Sequence, residues 1–162
     1  MRVRSCGGRA STSRCAADRL LEALAAARKD RRPLPLPLRD MAVAHVLCLL
    51  DEVEGSAAHL EVDALPPPLR TRIVSKRDRY ERGVRALVAR GVRAGTLHAA
   101  DPTIATRAFL GALNWTAHWF RPEGKQSPRQ IAEHVADYAV AGLANPRPNP
   151  QSNPQSAVRN PQ

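Results

Sequence analysis

The sequence predicts an all-α protein, a helical bundle of about five main helices with disordered ends. Three observations carry that prediction. Apolar residues recur at spacings of three and four rather than two. Asp101-Pro102 and Ser127-Pro128 each place a capping side chain before the proline favoured at a helix's first position. No segment shows the alternation of a strand. The chain has 162 residues, of which 43% are apolar and only 4% aromatic, so its core is expected to be built mainly of Ala, Leu and Val. It contains no apolar run of about 18 residues or more, which excludes a spanning helix.

Residues 1–15 lack periodicity and are expected to be disordered. The first helix is expected from Ala16 to Lys29, where Leu20, Leu21 and Leu24 share a side. In the next stretch Pro33, Pro35 and Pro37 alternate with leucines, which predicts an extended connection, or alternatively a proline-rich recognition peptide. A second helix follows from Leu38 or Asp40 to about Val53, apolar nearly all round and therefore central. His45 and Cys48 stand one turn apart on it, a spacing that suits a packed pair better than a nucleophilic site. Residues 55–66 read as a short helix or turn.

The third and longest helix is expected from Pro67 to Ala94, with Gly95 as its cap. Leu69, Ile73, Tyr80, Val84, Leu87 and Gly91 form its apolar stripe, and arginines crowd its other sides. Asp78 with Arg82 and Glu81 with Arg85 are spaced as supporting pairs, worth roughly 0.2–0.5 kcal/mol each. The fourth helix runs from Pro102 to Phe120, and its apolar arc sweeps roughly 200°. One packing partner needs an arc of only about 100° or somewhat more, so this helix should bury two faces. The fifth, from Ser127 to Leu143, carries Ile131, Val135, Tyr138 and Gly142 flanked by Ala132, Ala136 and Ala139. Such small residues let another helix come close. Residues 144–162 are a polar, Pro/Asn/Gln-rich tail expected to be disordered.

The net charge is +10, but it is not one patch. Residues 1–39 carry +7, residues 40–66 carry −6, residues 67–143 carry +7, and the tail adds Arg147 and Arg159. The arginines of the third helix read most simply as a solvated face. A nucleic-acid face is the other reading, weakened by the lack of aromatic residues among them. Cys6, Cys15 and Cys48 form no C-x-x-C pair, which argues against a disulfide framework or a zinc knuckle and fits a reducing cytoplasm. The five histidines show no metal-ligand spacing, and no phosphate loop or nucleophile elbow is present. No catalytic residue, metal or cofactor is expected, and no membrane partner.

The stretches LPPPLRTRIVSKRDRYERGVRALVARGVRAGTL (65–97), DPTIATRAFLGALNWTAHWFRPEG (101–124) and SPRQIAEHVADYAVAGL (127–143) carry a resemblance. The chain resembles the C-terminal ligand-binding and dimerisation half of TetR-family transcriptional regulators. It looks most like regulators of lipid, fatty-acid or steroid breakdown, some of which respond to acyl-CoA thioesters. The resemblance implies that residues 16–143 form an effector-binding and dimerisation domain. It implies a homodimer in which the last two helices pair with their copies, here through Ala112, Leu113, Thr116, Phe120, Ile131, Val135, Tyr138, Ala139 and Gly142. It also implies a small-molecule effector pocket among the second, third and fourth helices. Tyr80, Val84, Phe109, Trp115 and Trp119 are the candidates for its wall, with ordinary core packing as the alternative for each.

Full family members carry a DNA-binding domain of roughly fifty residues, with a helix-turn-helix, before the first matching helix. Only Met1 to Cys15 precede it here, so the expectation is a truncated repressor that does not itself bind operator DNA. Such a core could pair with an intact relative and remove one DNA-reading head from the dimer. The alternatives are a basic helical adaptor binding nucleic acid nonspecifically and a nonfunctional truncated product.

Overall fold

A computed structural model describes residues 9–55 and 66–144. It contains five α-helices: α1 (Arg9–Lys29), α2 (Pro35–Gly55), α3 (Pro67–Arg93), α4 (Pro102–Trp119) and α5 (Pro128–Ala141). The expectations for residues 1–8, for the turn at 56–65 and for the tail from 145 onward lie outside the described residues. No helix among the described residues is long and apolar enough to cross a membrane.

The helix ends show which local signals act. α1 begins at Arg9, earlier than the expected Ala16, because no glycine or proline interrupts the chain between Gly8 and Pro33. α2 begins at Pro35, which corrects the extended reading of the alternating prolines. Pro35 and Pro37 are the first and third residues of that helix, where backbone N–H groups have no ladder partner in any case. The donors that remain are used: Leu36 N–H bonds to the Pro33 carbonyl at 3.0 Å and Leu38 N–H to the Leu34 carbonyl at 3.1 Å.

α3 ends in a left-handed turn. Gly95 has φ +67°, its N–H bonds back to the Val92 carbonyl, and the Thr96 N–H bonds to the Gly91 carbonyl at 3.0 Å. α4 is capped by Asp101, whose carboxylate accepts from the Thr103 N–H at 2.6 Å and also from the Ile104 N–H. Those bonds to the charged form hold the Asp101 carboxyl below its usual range. α5 opens on a capping box, in which the Ser127 hydroxyl accepts from the Gln130 N–H and the Gln130 side chain accepts from the Ser127 N–H. The cap-and-proline reading of both helices holds.

α2 is the central helix and packs on α1, α4 and α5, while α3 packs on α1 and α4. Leu38, Met41, Ala42, Val46, Leu49 and Leu50 are all buried, as the all-round apolar pattern of α2 requires. From α3 the core receives Ile73, Tyr80, Val84, Leu87 and Val88. Gly91 lies where α3 meets the α1–α2 connection and the loop after α3. A Cβ there would stand 2.6 Å from Leu34 Cδ2 and from Leu97 Cγ. The substitution Gly91→Val should therefore lower unfolding free energy by about 1–3 kcal/mol, measured by urea denaturation. An isolated bridge joins Leu97 to Ala144, and His98 N–H donates to the Leu143 carbonyl at 2.7 Å. This contact ties the α3–α4 connection to the end of α5.

Candidate functional site

Among the described residues one buried histidine has polar partners on two other helices. His45 on α2 is only 3% exposed. Its Nδ1 lies 3.0 Å from the Tyr80 hydroxyl on α3, and its Nε2 lies 3.1 Å from Asn114 Oδ1 on α4. A neutral imidazole offers one donor and one acceptor. With the amide oxygen of Asn114 facing the ring, Nε2–H donates to it and Nδ1 accepts from Tyr80 O–H. Burial pushes the Tyr80 hydroxyl well above its ordinary pKa, and the neighbouring Cys48 adds to the shift, so the phenol stays protonated as this arrangement requires. Cys48 is itself buried one turn along α2, with its thiol 3.7 Å from the Ala16 carbonyl. Val84 and Phe109 belong to the same buried cluster. Three of the five expected pocket residues, Tyr80, Val84 and Phe109, are thus buried in the core to which α2, α3 and α4 contribute.

The other two are not. Trp115 and Trp119 are 62% and 45% exposed and lie on the outside of α4. At about 100° per residue they share a strip with Ile104, Ala108, Gly111 and Ala112, and Ile104 is also exposed. The opposite side of α4 carries Thr106, Phe109, Leu113, Thr116 and Phe120, all buried. This arrangement corrects the sequence assignment in both directions: the tryptophans leave the pocket, while Leu113, Thr116 and Phe120 leave the outer interface for the protein's own core. The two threonines can be buried because their hydroxyls bond within the helix, Thr106 to the Pro102 carbonyl at 2.7 Å and Thr116 to the Ala112 carbonyl at 3.5 Å. Trp115 stacks on His118, with ring centroids 4.3 Å apart.

α5 divides in the same way. Ile131, Ala132, Ala136 and Val140 face inward. Ile131 is therefore also a core residue rather than an exposed one. Tyr138 is 88% exposed, Gly142 is exposed, and Val135 and Ala139 are half-buried beside it. Of the nine residues assigned to an outer interface, Ala112, Val135, Tyr138, Ala139 and Gly142 remain available to one.

A shallow groove between α2 and α5 is lined by Val43, Ala44 and Leu47 together with Arg39, Asp40, Arg129 and Glu133. Its charges are already matched: Arg39 bonds to Asp137, Arg129 to Glu133, and Asp40 to Arg32. The Arg39 guanidinium holds the Asp137 carboxyl below its usual range. That contribution is present above the ordinary carboxylate pKa and is lost as pH falls through the depressed one. Among the described residues no group of three His, Cys, Asp or Glu side chains could hold a metal ion.

Residues 37–143, from the start of α2 to the end of α5, match the family model described as tetracyclin repressor-like, C-terminal domain. The chain belongs to this family. A search of curated proteins finds no match. Among solved structures, the chain is similar to the TetR-family transcriptional regulator PfmR from Thermus thermophilus, at 30% identity and a TM-score of 0.73 over 85% of this chain and 75% of that one. It is also similar to a TetR/AcrR-family regulator from Thermobifida fusca, at 26% identity and a TM-score of 0.70 over 80% of this chain and 69% of that one. AibR, solved in complex with isovaleryl coenzyme A and operator DNA, shares the fold at 20% identity and a TM-score of 0.63, over 80% of this chain and 71% of that one. The chain accordingly carries the C-terminal domain of a family of transcriptional regulators, which are not enzymes. Its polar junction uses a residue that was not among the expected site residues, Asn114. The signal was present as a lone amide in an otherwise apolar run, but an amide on α4 cannot announce a partner on α2.

Proposed function

We propose that the domain is the dimerising, effector-sensing core of its regulator, responding to a small apolar or acyl-CoA-type ligand. One observation carries this reading. Asn114 and Trp115 are neighbours on α4, the first bonded to buried His45 and the second exposed on the outer strip. A ligand whose polar end takes over a hydrogen bond of His45, with its apolar part against Val84 and Phe109, would displace α4. The same displacement would move the strip through which two copies meet.

The dimer reading rests on uncovered apolar area. α4 leaves Ile104, Trp115 and Trp119 in water, and α5 leaves Tyr138. Gly111 supports it independently. It sits in mid-helix, where glycine costs roughly 0.5–1 kcal/mol relative to alanine, and beyond its adjoining residues and its own helix backbone no described atom lies within 4 Å of where a Cβ would be. Close approach by a helix of a second copy explains that residue. The bound isovaleryl coenzyme A of AibR favours the ligand class at the level of a shared fold.

A thermal-shift titration of the full chain with isovaleryl-CoA and longer acyl-CoA thioesters tests the sensing function. Ligand at a hundredfold excess over its Kd should raise Tm by about 5–10 °C. Tyr80→Phe, which keeps the ring but removes the donor to His45, should weaken that response. An unchanged Tm with every thioester would remove this ligand class.

A further inference from the structure

We infer that the outer side of α3 is a second interaction surface, which binds the phosphate backbone of double-stranded DNA without reading its sequence. Arg72, Arg79, Arg82, Arg90 and Arg93 are all exposed. At about 100° per residue they fall within roughly 80° of one another, on the far side of the helix from Tyr80 and Val84. At 1.5 Å per residue the row is about 30 Å long. Neither Asp78 nor Glu81 lies in that arc, and the supporting pairs expected from their spacing do not form. Among the described residues, Asp78 makes no ion pair with Arg82, and Glu81 reaches Arg107 on α4 at 4.0 Å instead of Arg85. The Arg90 guanidinium reaches the Arg28 carbonyl at 3.5 Å, which sets the basic last turn of α1, with Arg28 and Lys29, beside the row.

A solvated helix face normally interleaves opposite charges at four-residue spacing, whereas this one sets Arg79 beside Arg82 and Arg90 beside Arg93. Such repulsion is relieved by a polyanion. Guanidinium groups suit phosphate because their planar forks bond two oxygens at once. Only Ser75 and Ala86 lie between the arginines in the arc, so the row has no large apolar side chain to enter a lipid surface and no aromatic ring to stack on single-stranded bases. A straight, rigid row of cations fits the regular phosphates of a duplex. This surface is separate from the outer strips of α4 and α5 and does not depend on the ligand or dimer proposed above.

The test is fluorescence anisotropy of the full chain with a labelled 30-base-pair duplex of arbitrary sequence, between 50 and 200 mM salt. Affinity should fall by about 100-fold or more across that range. In R79Q/R82Q/R90Q/R93Q the slope of log affinity against log salt should shrink by about 3–4, or about 0.9 per lost contact. Replacing the same four residues by lysine should preserve most of the slope. Removing charge elsewhere, in R121Q/K125Q/R129Q, should leave it unchanged. Equal losses in the α3 and control variants would overturn the proposal, as would salt-insensitive binding. Stronger binding to phosphatidylserine vesicles or to a poly-glutamate peptide than to the duplex would also overturn it. Because all four arginines are exposed and repel one another, the glutamine variant should melt at or slightly above the temperature of the parent chain.

Discussion

Trp115→Glu should raise the dissociation constant of the proposed dimer by roughly 30- to 1000-fold, the range expected when a buried aromatic anchor worth about 2–4 kcal/mol is lost from an interface. The side chain is largely outside the core of its own chain, so the fold should survive. Sedimentation equilibrium over a range of protein concentrations reads the effect directly. Gly111→Ala is the companion variant and separates two explanations of the exposed strip. In a monomer the added methyl meets nothing within 4 Å beyond its adjoining residues and its own helix backbone, and alanine should stabilise the helix by about 0.5–1 kcal/mol. In a dimer whose helices approach at Gly111, the same methyl should weaken association while the monomer becomes more stable. A Trp115→Glu protein that associates as tightly as the parent would end the dimer assignment for this face.

Leu113→Ala should lower unfolding free energy by about 2–5 kcal/mol, a large part of the roughly 5–15 kcal/mol that a domain possesses. Leu113 is 0% exposed and belongs to the central cluster. If it instead faced a partner chain, truncation would chiefly change association. Dimerisation couples to stability through protein concentration, so the measurement is best made in the Trp115→Glu background by urea denaturation at two concentrations. A loss below about 1 kcal/mol would show that α4 is rotated relative to the arrangement described here. The two experiments therefore examine opposite sides of one helix, and their readouts are expected to separate cleanly.

Much of the fold was legible because helix signals are local. Asp101 and Ser127 cap within their own first turns, and Gly95 terminates α3 through bonds to residues only a turn back. The prolines before α2 misled for a related reason. Their effect depends on whether they stand inside a helix or at its first turn, and Pro33-Leu34-Pro35 does not say where the turn begins. The candidate site was legible only in part. Tyr80 and Val84 lie on the narrow stripe of α3 that periodicity identifies, so their burial followed. The arc of α4 is too wide for that argument, because Leu113 and Trp115 are equally apolar choices for the inward side.

By itself the sequence determined the helical class, the positions of α3, α4 and α5, and a resemblance that the family match over 37–143 bears out. These are properties of neighbouring residues: spacing, caps and composition. Only the tertiary structure decided which half of α4 faces the core, because that rotation is set by packing on α2, α3 and α5, which the residues of α4 alone do not reveal. The same packing joins His45, Tyr80 and Asn114 into one hydrogen-bonded junction from three helices, and turns Trp115, Trp119 and Tyr138 outward. A residue's spacing states which neighbours share its face; what that face meets depends on the rest of the molecule.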